Sequence, residues 1–245
     1  MIDSKMKYVL FLVEGDSDEK YINGILKTSE KFKNNYLAVF IPLVFKNKGK
    51  LIKIHDITAN YNIKENNVKG IIQDNIVNFF RQNHAFNKSN IAKIVHVLDL
   101  DGAFIGRDNI IKDESKNFYY TLDGIYSDNV DQVVQRNGHK QKLLKVLIET
   151  NQINSIPYNL YFNSVNIEHV LFGDEMMNLN QEQKKSKSIE FNDSCSNGAI
   201  SVDQLIIFDK QVGSDEYKKS WDNVKSGLNS LHRKTNINLA LKDLL

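Results

Sequence analysis

The sequence predicts an α/β protein with a mostly parallel sheet flanked by helices, and three apolar runs carry this prediction. They occupy residues 7–13, 36–45 and 92–98, and each is rich in β-branched, aromatic and aliphatic side chains almost without interruption. Such runs are typical of strands that are covered on both faces of a parallel sheet. Between them, apolar residues recur at helical spacing, as crossover helices require.

The first strand leads directly into a helix. Its apolar run ends at Glu14-Gly15, and Ser17 can then cap a helix that extends to about residue 28. Asp18 and Glu19 fall in the first turn of this helix, where negative charge complements the helix dipole. The pattern predicts one βα unit over residues 7–28.

The next elements follow the same alternation. The run 36–45 predicts a second strand that ends in the basic loop 46–50, and residues 51–57 predict a short helix. Isoleucine and phenylalanine at helical spacing predict a longer helix over residues 68–82. The third strand then runs into Asp99-Leu100-Asp101-Gly102.

The pattern loosens after Gly102. Residues 107–127 show no clear period, and within them only 118–120 predict a strand. A helix is predicted over 131–149, which Gly138 can divide, and a strand over 158–162 behind Pro157. The polar run 181–188 predicts an exposed linker or mobile loop, and residues from 201 onward predict helices. We divide the chain into a core (1–127), a core completion formed by a helical insertion with a strand (128–180) and a mainly helical C-terminal appendage (181–245).

Composition excludes several classes of protein. Lys and Arg number 32 against 30 Asp and Glu, so no overall basic field indicates nucleic acid and any contact with it must be local. Cys195 is the only cysteine, which excludes an intramolecular disulfide framework and fits a reducing compartment. The first apolar run is too short for a membrane span, and we expect a cytoplasmic protein without a membrane partner.

Motifs of other enzyme classes are absent from the sequence. It contains no P-loop, no zinc motif of the H-E-x-x-H or paired C-x-x-C type, and no serine-hydrolase elbow. Any ATPase that works with this protein is therefore expected to be a separate partner.

Carboxylates gather where the predicted strands end. Residues i and i+2 of a strand share a face, so Asp99 and Asp101 are expected to point together, and Glu14 ends the first strand at the same edge of the sheet. Hard oxygen ligands of this kind suit Mg²⁺ or Mn²⁺. The alternative is that each acid merely ends a strand and starts a turn.

These residues also carry a resemblance to a known family. Val9-Leu10-Phe11-Leu12-Val13-Glu14-Gly15 with Ser17-Asp18 resembles the first motif of Toprim domains, and Val97-Leu98-Asp99-Leu100-Asp101-Gly102 resembles their Asp-x-Asp motif. The loop 46–51 is similar to the glycine-containing loop of nuclease-type Toprim proteins, namely the OLD (overcoming lysogenization defect) and RloB-like groups. The resemblance covers about residues 7–105 and implies a Rossmannoid fold.

The resemblance also implies roles for individual residues. Glu14 would be a metal ligand or general acid/base, and Asp99 and Asp101 would be metal ligands. The segment 162–169 faintly resembles the part of RloB-like proteins that follows the core, which makes Glu168 a further candidate ligand. The alternative for Glu168 is an acid that only complements a helix dipole.

Basic residues supply candidates for phosphate contact. Lys46, Lys48 and Lys50 surround Gly49, whose lack of a side chain permits close backbone approach, although a solvated loop has the same composition. A second basic cluster includes Arg136, His139, Lys140, Lys142 and Lys145, and on a helix such a cluster is more often a solvated face. Lys48, Lys50 and Lys140 all remain candidates for a catalytic lysine.

The expected function is divalent-metal-dependent hydrolysis of phosphodiester bonds in DNA, tRNA or other RNA. The resemblance implies an endonuclease effector of bacterial antiphage defence or abortive infection, governed by a separate ATPase sensor subunit, and leaves a homodimer open. The alternative is a non-catalytic Toprim module that binds or regulates within a defence complex. A primase or polymerase-accessory role ranks last, because no second catalytic module is visible.

Overall fold

The computed structural model describes residues 6–47, 49–83, 87–115, 118–200 and 216–244. The strands are β1 (Lys7–Leu12), β2 (Tyr36–Phe40), β3 (Val44–Asn47), β4 (Lys50–Lys53), β5 (Ile91–Asp99), β6 (Ile110–Lys112), β7 (Phe118–Tyr120), β8 (Ile125–Ser127), β9 (Gln152–Ile153) and β10 (Ile156–Asn163). The helices are α1 (Asp16–Lys27), α2 (Glu30–Asn35), α3 (Val68–Gln82), α4 (Val130–Ile148), α5 (Ile167–Phe172), α6 (Gln181–Ser196), α7 (Glu216–Val224) and α8 (Ile237–Leu244). Short 3₁₀ turns occupy Lys88–Asn90, Arg107–Asn109 and Asp174–Met176.

The central sheet has the strand order β2-β1-β5-β10-β9. Strands β1, β2, β5 and β10 run parallel, and only the two-residue β9 is antiparallel, at one edge. This arrangement confirms the prediction of a mostly parallel α/β sheet. It also brings the carboxyl ends of three neighbouring strands, β1, β5 and β10, to one edge.

Helices cover both faces of this sheet, because alternate residues of each strand point to opposite sides. Leu10 and Leu12 of β1 pack in a core that includes α3, α4 and Trp221 of α7. Val9 and Phe11 pack in a second core that α1, α6 and α8 share. The apolar runs are unbroken in sequence because each strand serves both cores.

The C-terminal part of the chain contributes to both cores. Trp221 packs against Phe162 in β10, and their ring centroids are 4.7 Å apart. Phe191 and Cys195 of α6 lie in the second core together with Leu241 of α8. Trp221, Val224 and Leu231 are all buried, and residues 201–215, part of the segment predicted to be helical, lie outside the described residues.

Three local predictions are wrong. The apolar run 36–45 is divided, since β2 ends at Phe40 and β3 begins only at Val44. The helix predicted over 51–57 is replaced by β4, which pairs antiparallel with β3 to form a hairpin. The linker predicted over 181–188 is the first half of α6, whose N-terminus is fixed by a reciprocal capping box between Asn180 and Gln183.

Two further predictions concern the strand at 118–120 and the helix that contains Gly138. The strand at 118–120 is confirmed as β7, which joins β6 and β8 in a small three-stranded sheet. Helix α4 is continuous through Gly138 rather than divided there. Within the described residues, no helix is both long and apolar enough to cross a membrane.

Candidate functional site

The candidate site lies at the carboxyl ends of β1, β5 and β10. Glu14 follows β1, Asp99 is the last residue of β5, and Asn163 is the last residue of β10. The Asp99 backbone N–H donates to Glu14 Oε1 at 3.2 Å, and Asn163 Nδ2 donates to Asp99 Oδ1 at 3.0 Å. The predicted meeting of Glu14 with the Asp-x-Asp segment is therefore present.

Asp101 reaches the site by a turn rather than by strand alternation. Strand β5 ends at Asp99, and Asp101 and Gly102 have positive φ values of 52° and 66°. Asp tolerates this left-handed region better than most residues, while Gly102 needs it and has little room for a Cβ, which would lie 2.9 Å from Leu231 Cδ2. The two aspartates are consequently displaced from the common face that a continuous strand would give them.

Helix α4 holds this turn in place. Arg136 Nη2 donates to the Asp101 carbonyl at 2.7 Å, and Asn137 Nδ2 donates to the Gly102 carbonyl at 3.3 Å. Gln141 Nε2 donates to the Ala103 carbonyl at 2.7 Å. Arg136 thus faces the site, whereas the sequence favoured a solvated face for the basic cluster on this helix.

Lys140 forms the centre of one group of acids. Its side chain is fully buried, and Nζ donates to Asp101 Oδ2 at 2.7 Å and to Asp56 Oδ2 at 2.8 Å. Asp56 is in turn fixed by Thr58, whose backbone N–H and hydroxyl donate to Oδ1 at 2.7 Å and 2.6 Å. Lys140 is therefore an internal ion-pair partner, while Lys142 and Lys145 on the same helix are exposed.

Lys184 faces a second group of acids. Glu168 is only 1% exposed, neither of its carboxylate oxygens has a hydrogen-bond partner, and Lys184 Nζ lies 3.6 Å from Oε2. The charge of Lys184 also acts on Asp99 and Asp18. A dipole-complementing acid on a helix surface would be solvated, so the burial of Glu168 requires another explanation.

Burial of so many carboxylates perturbs their protonation. Burial raises the pKa of Glu14 well above its ordinary value, and the charge of Asp56 adds to the rise. Burial also raises the pKa of Asp99, with a further contribution from Asp18. The pKa of Asp18 itself is raised to about 7 by burial and by the charge of Glu168.

The lysines act in the opposite direction. Burial alone would raise the pKa of Asp56, but the charge and hydrogen bond of Lys140 outweigh burial and lower it. Burial alone would lower the pKa of Lys140, yet the charges of Asp101 and Asp56 raise it. The pKa of Lys184 is raised for the same reason, by Asp99 and Glu168. Both lysines are therefore charged at neutral pH.

The donor chemistry of the site fits a hard divalent cation. The charged oxygens of the site all belong to carboxylates, and the two oxygens of Glu168 accept no hydrogen bond that would compete with a cation. Among the described residues, however, no group of three or more His, Cys, Asp or Glu side chains is spaced so that it could hold a metal ion as it stands. Binding of a cation requires these carboxylates to draw closer together.

The predicted phosphate-binding residues are divided between two places. Lys46 and Lys50 are exposed on the β3–β4 hairpin, whose turn contains Gly49 at a φ of 84°. Lys140 is buried in the acidic site instead. Lys48 lies outside the described residues.

Sequence reasoning did not assign three residues to the site. Asp18 had a signal, since it follows Glu14 by one helical turn and its Oδ2 accepts from the Gly15 N–H at 2.8 Å. Asp56 had only the local Asp-x-Thr turn signal, which says nothing of Lys140 84 positions away. Lys184 had none, because it falls in a polar run whose helical structure was not predicted.

No family model, no curated protein and no solved structure matches this chain.

Proposed function

We propose that this chain is a Toprim-type nuclease that hydrolyses phosphodiester bonds of nucleic acid with a divalent metal ion, Mg²⁺ or Mn²⁺. One observation carries the proposal: carboxylates from distant parts of the chain meet at the carboxyl edge of the sheet, and the buried Glu168 among them has no hydrogen-bond donor. A buried carboxylate that accepts no hydrogen bond costs free energy, and the Lys184 ammonium at 3.6 Å is too far away to donate one.

The charge of the site supports a cation. The six carboxylates are Glu14, Asp18, Asp56, Asp99, Asp101 and Glu168, and the positive side chains among them are Lys140, Lys184 and Arg136. Burial raises the pKa values of Glu14, Asp18 and Asp99, and repulsion by the neighbouring carboxylates adds to the rise. A divalent cation would relieve this repulsion and keep the carboxylates ionised.

The ligands would be Glu14, Asp99, Asp101 and Glu168, with Asp18 beside them. When bound there, a divalent ion supplies an activated water and stabilises charge on the phosphate. Lys184 is 24% exposed, so its ammonium can offset the charge of a phosphate that reaches the site. Lys140 is fully buried and acts as a positioning residue, because it fixes the carboxylate of Asp101.

The biological setting rests on the resemblance alone. Similarity to OLD and RloB-like proteins supports an endonuclease effector of bacterial antiphage defence in the cytoplasm. The sequence has no P-loop, which supports a separate ATPase sensor as its partner.

A non-catalytic Toprim module is the second candidate function. The observation that favours it is the spacing of the acids, since no described group of three is ready to hold a metal. In that case the acidic pocket would bind a cationic group of a partner and would have no hydrolytic activity.

Cleavage assays distinguish the two candidates. The purified protein is incubated with supercoiled DNA, linear DNA and total tRNA in Mg²⁺ or Mn²⁺, with EDTA as the metal-free control. We expect metal-dependent cleavage of at least one substrate and a loss of at least about 100-fold in Glu14→Gln. Glu19→Gln, at an exposed position of the following helix α1, is the matched control and should cleave normally. Equal inertness of the wild type and Glu14→Gln on every substrate would favour the binding module.

A further inference from the structure

The β3–β4 hairpin is unusually exposed for an element rich in apolar residues. Leu51 is 73% exposed and Ile52 is 45% exposed, and all of β4 is exposed. The sequence of the hairpin, residues 44–53, contains four lysines and no acid. A packed β-ribbon would bury such apolar side chains, and an ordinary solvated loop would not carry them.

The strand register places the apolar and basic side chains together. Lys46 pairs directly with Leu51, and Val44 pairs with Lys53. Since side chains alternate along each strand, Lys46, Leu51 and Lys53 share one face of the hairpin. Leu51 is therefore flanked on its own face by two cations.

The base of the hairpin is firmly attached to the fold. The side chain of Asn75 in α3 accepts from the Val44 N–H and donates to the Val44 carbonyl, both at 2.9 Å. The Ile54 N–H donates to the Leu43 carbonyl at 2.8 Å, which extends the pairing of the two strands at this same end. Phe45 also packs against the core. The exposed strand thus projects from a fixed support.

The hairpin is connected to the acidic site. Lys53 Nζ forms an ion pair at 2.9 Å with Asp16, which lies two residues after Glu14. Three residues beyond β4, Asp56 accepts a hydrogen bond from Lys140. Three residues span at most about 10 Å, so the base of the hairpin at Lys53 lies close to Asp56 in the acidic site.

We infer that the β3–β4 hairpin is a DNA-binding ribbon that lies in the major groove of a B-form duplex, with Lys46 and Lys50 on phosphates and Leu51 against base edges. This inference rests on the proposed nuclease function and names its substrate class. A two-stranded ribbon is about 10 Å across with its side chains, and the major groove of B-DNA is about 12 Å wide. The major groove of A-form RNA is too deep and narrow to admit it.

Binding and cleavage are measured separately to test this inference. The full chain is titrated in Ca²⁺ onto labelled duplex DNA, duplex RNA and single-stranded DNA of the same sequence, and a gel verifies that the probe stays intact. We expect the wild type to bind duplex DNA most tightly. Lys46→Gln with Lys50→Gln should weaken duplex DNA binding at least about tenfold and reduce the salt slope by about 2.

Leu51→Ser isolates the base-edge contact. It should weaken binding to duplex DNA about three- to tenfold, leave the salt slope unchanged and leave the weak binding to duplex RNA as it was. The matched controls are Lys142→Gln with Lys145→Gln for the charges and Ile189→Ser, 43% exposed on α6, for the apolar contact. Both controls should bind like the wild type, and circular dichroism melts verify that every variant is folded.

Three outcomes overturn the inference: unchanged duplex DNA binding in the hairpin variants, equal losses on duplex RNA, or a wild type that prefers RNA or single strands. The first of these would indicate a protein partner for the hairpin. A wild type that binds duplex DNA through the hairpin but cleaves nothing in Mg²⁺ or Mn²⁺ contradicts the proposed nuclease and leaves the ribbon intact. A wild type that cleaves DNA while the hairpin variants bind normally contradicts the ribbon and leaves the proposed nuclease standing.

Discussion

Glu168 shows most directly how single residues give this site its character. It is 1% exposed, and its carboxylate has Lys184 at 3.6 Å but no hydrogen-bond donor. An unsatisfied buried carboxylate costs at least about 1–3 kcal/mol. Its neighbours Asp18 and Asp99 hold their protons more strongly than free aspartates for the same reason, namely burial beside like charges.

The raised pKa of Asp18 predicts a pH-dependent effect of Asp18→Asn. Unfolded, Asp18 loses its proton near its ordinary pKa, whereas folded it holds the proton until about pH 7. The folded protein is therefore not destabilised by Asp18 at low pH. As the pH rises from the ordinary pKa of Asp to about 7, the unfolded chain releases this proton and the folded chain does not, so the free energy of unfolding falls. The neutral Asn removes this loss.

In EDTA, Asp18→Asn should raise the free energy of unfolding by about 1–2 kcal/mol at about pH 8 and change it little at about pH 4. The upper limit is modest because the side chain is partly exposed and keeps part of its hydration. Urea denaturation at the two pH values measures the effect. An equal effect at both would show that the charge of Asp18 is not responsible.

Lys184 and Lys185 provide a matched pair of substitutions. Lys184 faces the acids, while Lys185, the next residue of α6, is exposed. With metal at saturation, Lys184→Met should lower the cleavage rate about 10- to 100-fold, because the positive charge near the phosphate is lost. Lys185→Met should stay within about twofold of the wild type. Similar rates for the two variants would remove Lys184 from the proposed mechanism.

At the level of elements, the sequence pattern predicted those strands and helices whose apolar side chains are buried. Strands β1 and β5 are covered on both faces, so their apolar runs are unmistakable and their bounds differ from the prediction by about one residue. Helix α6 was missed because only Ser188, Phe191 and Cys195 are buried along it, and because its start depends on capping rather than on an apolar stripe. The hairpin was missed because cross-strand pairing, which short-range spacing does not report, sets its structure.

Helix α7 provides a test of how the C-terminal segment contributes to stability. Trp221 is 1% exposed and packs against Phe162. Trp221→Ala should lower the free energy of unfolding by about 3–5 kcal/mol, since it removes a large side chain from the core. Lys218→Ala on the exposed face of the same helix is the control and should cost less than about 0.5 kcal/mol. A small effect of Trp221→Ala in urea denaturation would mean that α7 is not part of the cooperative core.

On the scale of the whole molecule, the site exists only because the fold brings distant residues together. Glu14, Asp99 and Asp101 were predictable because parallel strands share one carboxyl edge. The contacts of Lys140 with Asp56 and of Lys184 with Glu168 join different loops and helices, and no local pattern encodes them. The metal and the substrate stay predictions of the motifs and the site chemistry.

Cation binding should be visible in the stability of the entire fold. A divalent ion that binds only the folded chain stabilises it by about 2.7 kcal/mol at 100 times its dissociation constant. We therefore expect Mg²⁺ or Mn²⁺ to raise the melting temperature relative to EDTA, measured by calorimetry, and the same concentration of K⁺ to have little effect. Glu168→Gln should lose most of this increase. An equal increase in Glu168→Gln would place the cation elsewhere.

The burial of Cys195 has a practical consequence. This thiol is the only one in the chain, it is 4% exposed, and burial raises its pKa to about 11. Maleimide reagents attack the thiolate, which is scarce in such a group and shielded by α1. A cysteine introduced at Lys50 should therefore accept a single fluorophore or spin label without removal of the native residue, and the hairpin could be followed optically while the remainder of the chain stays unmodified.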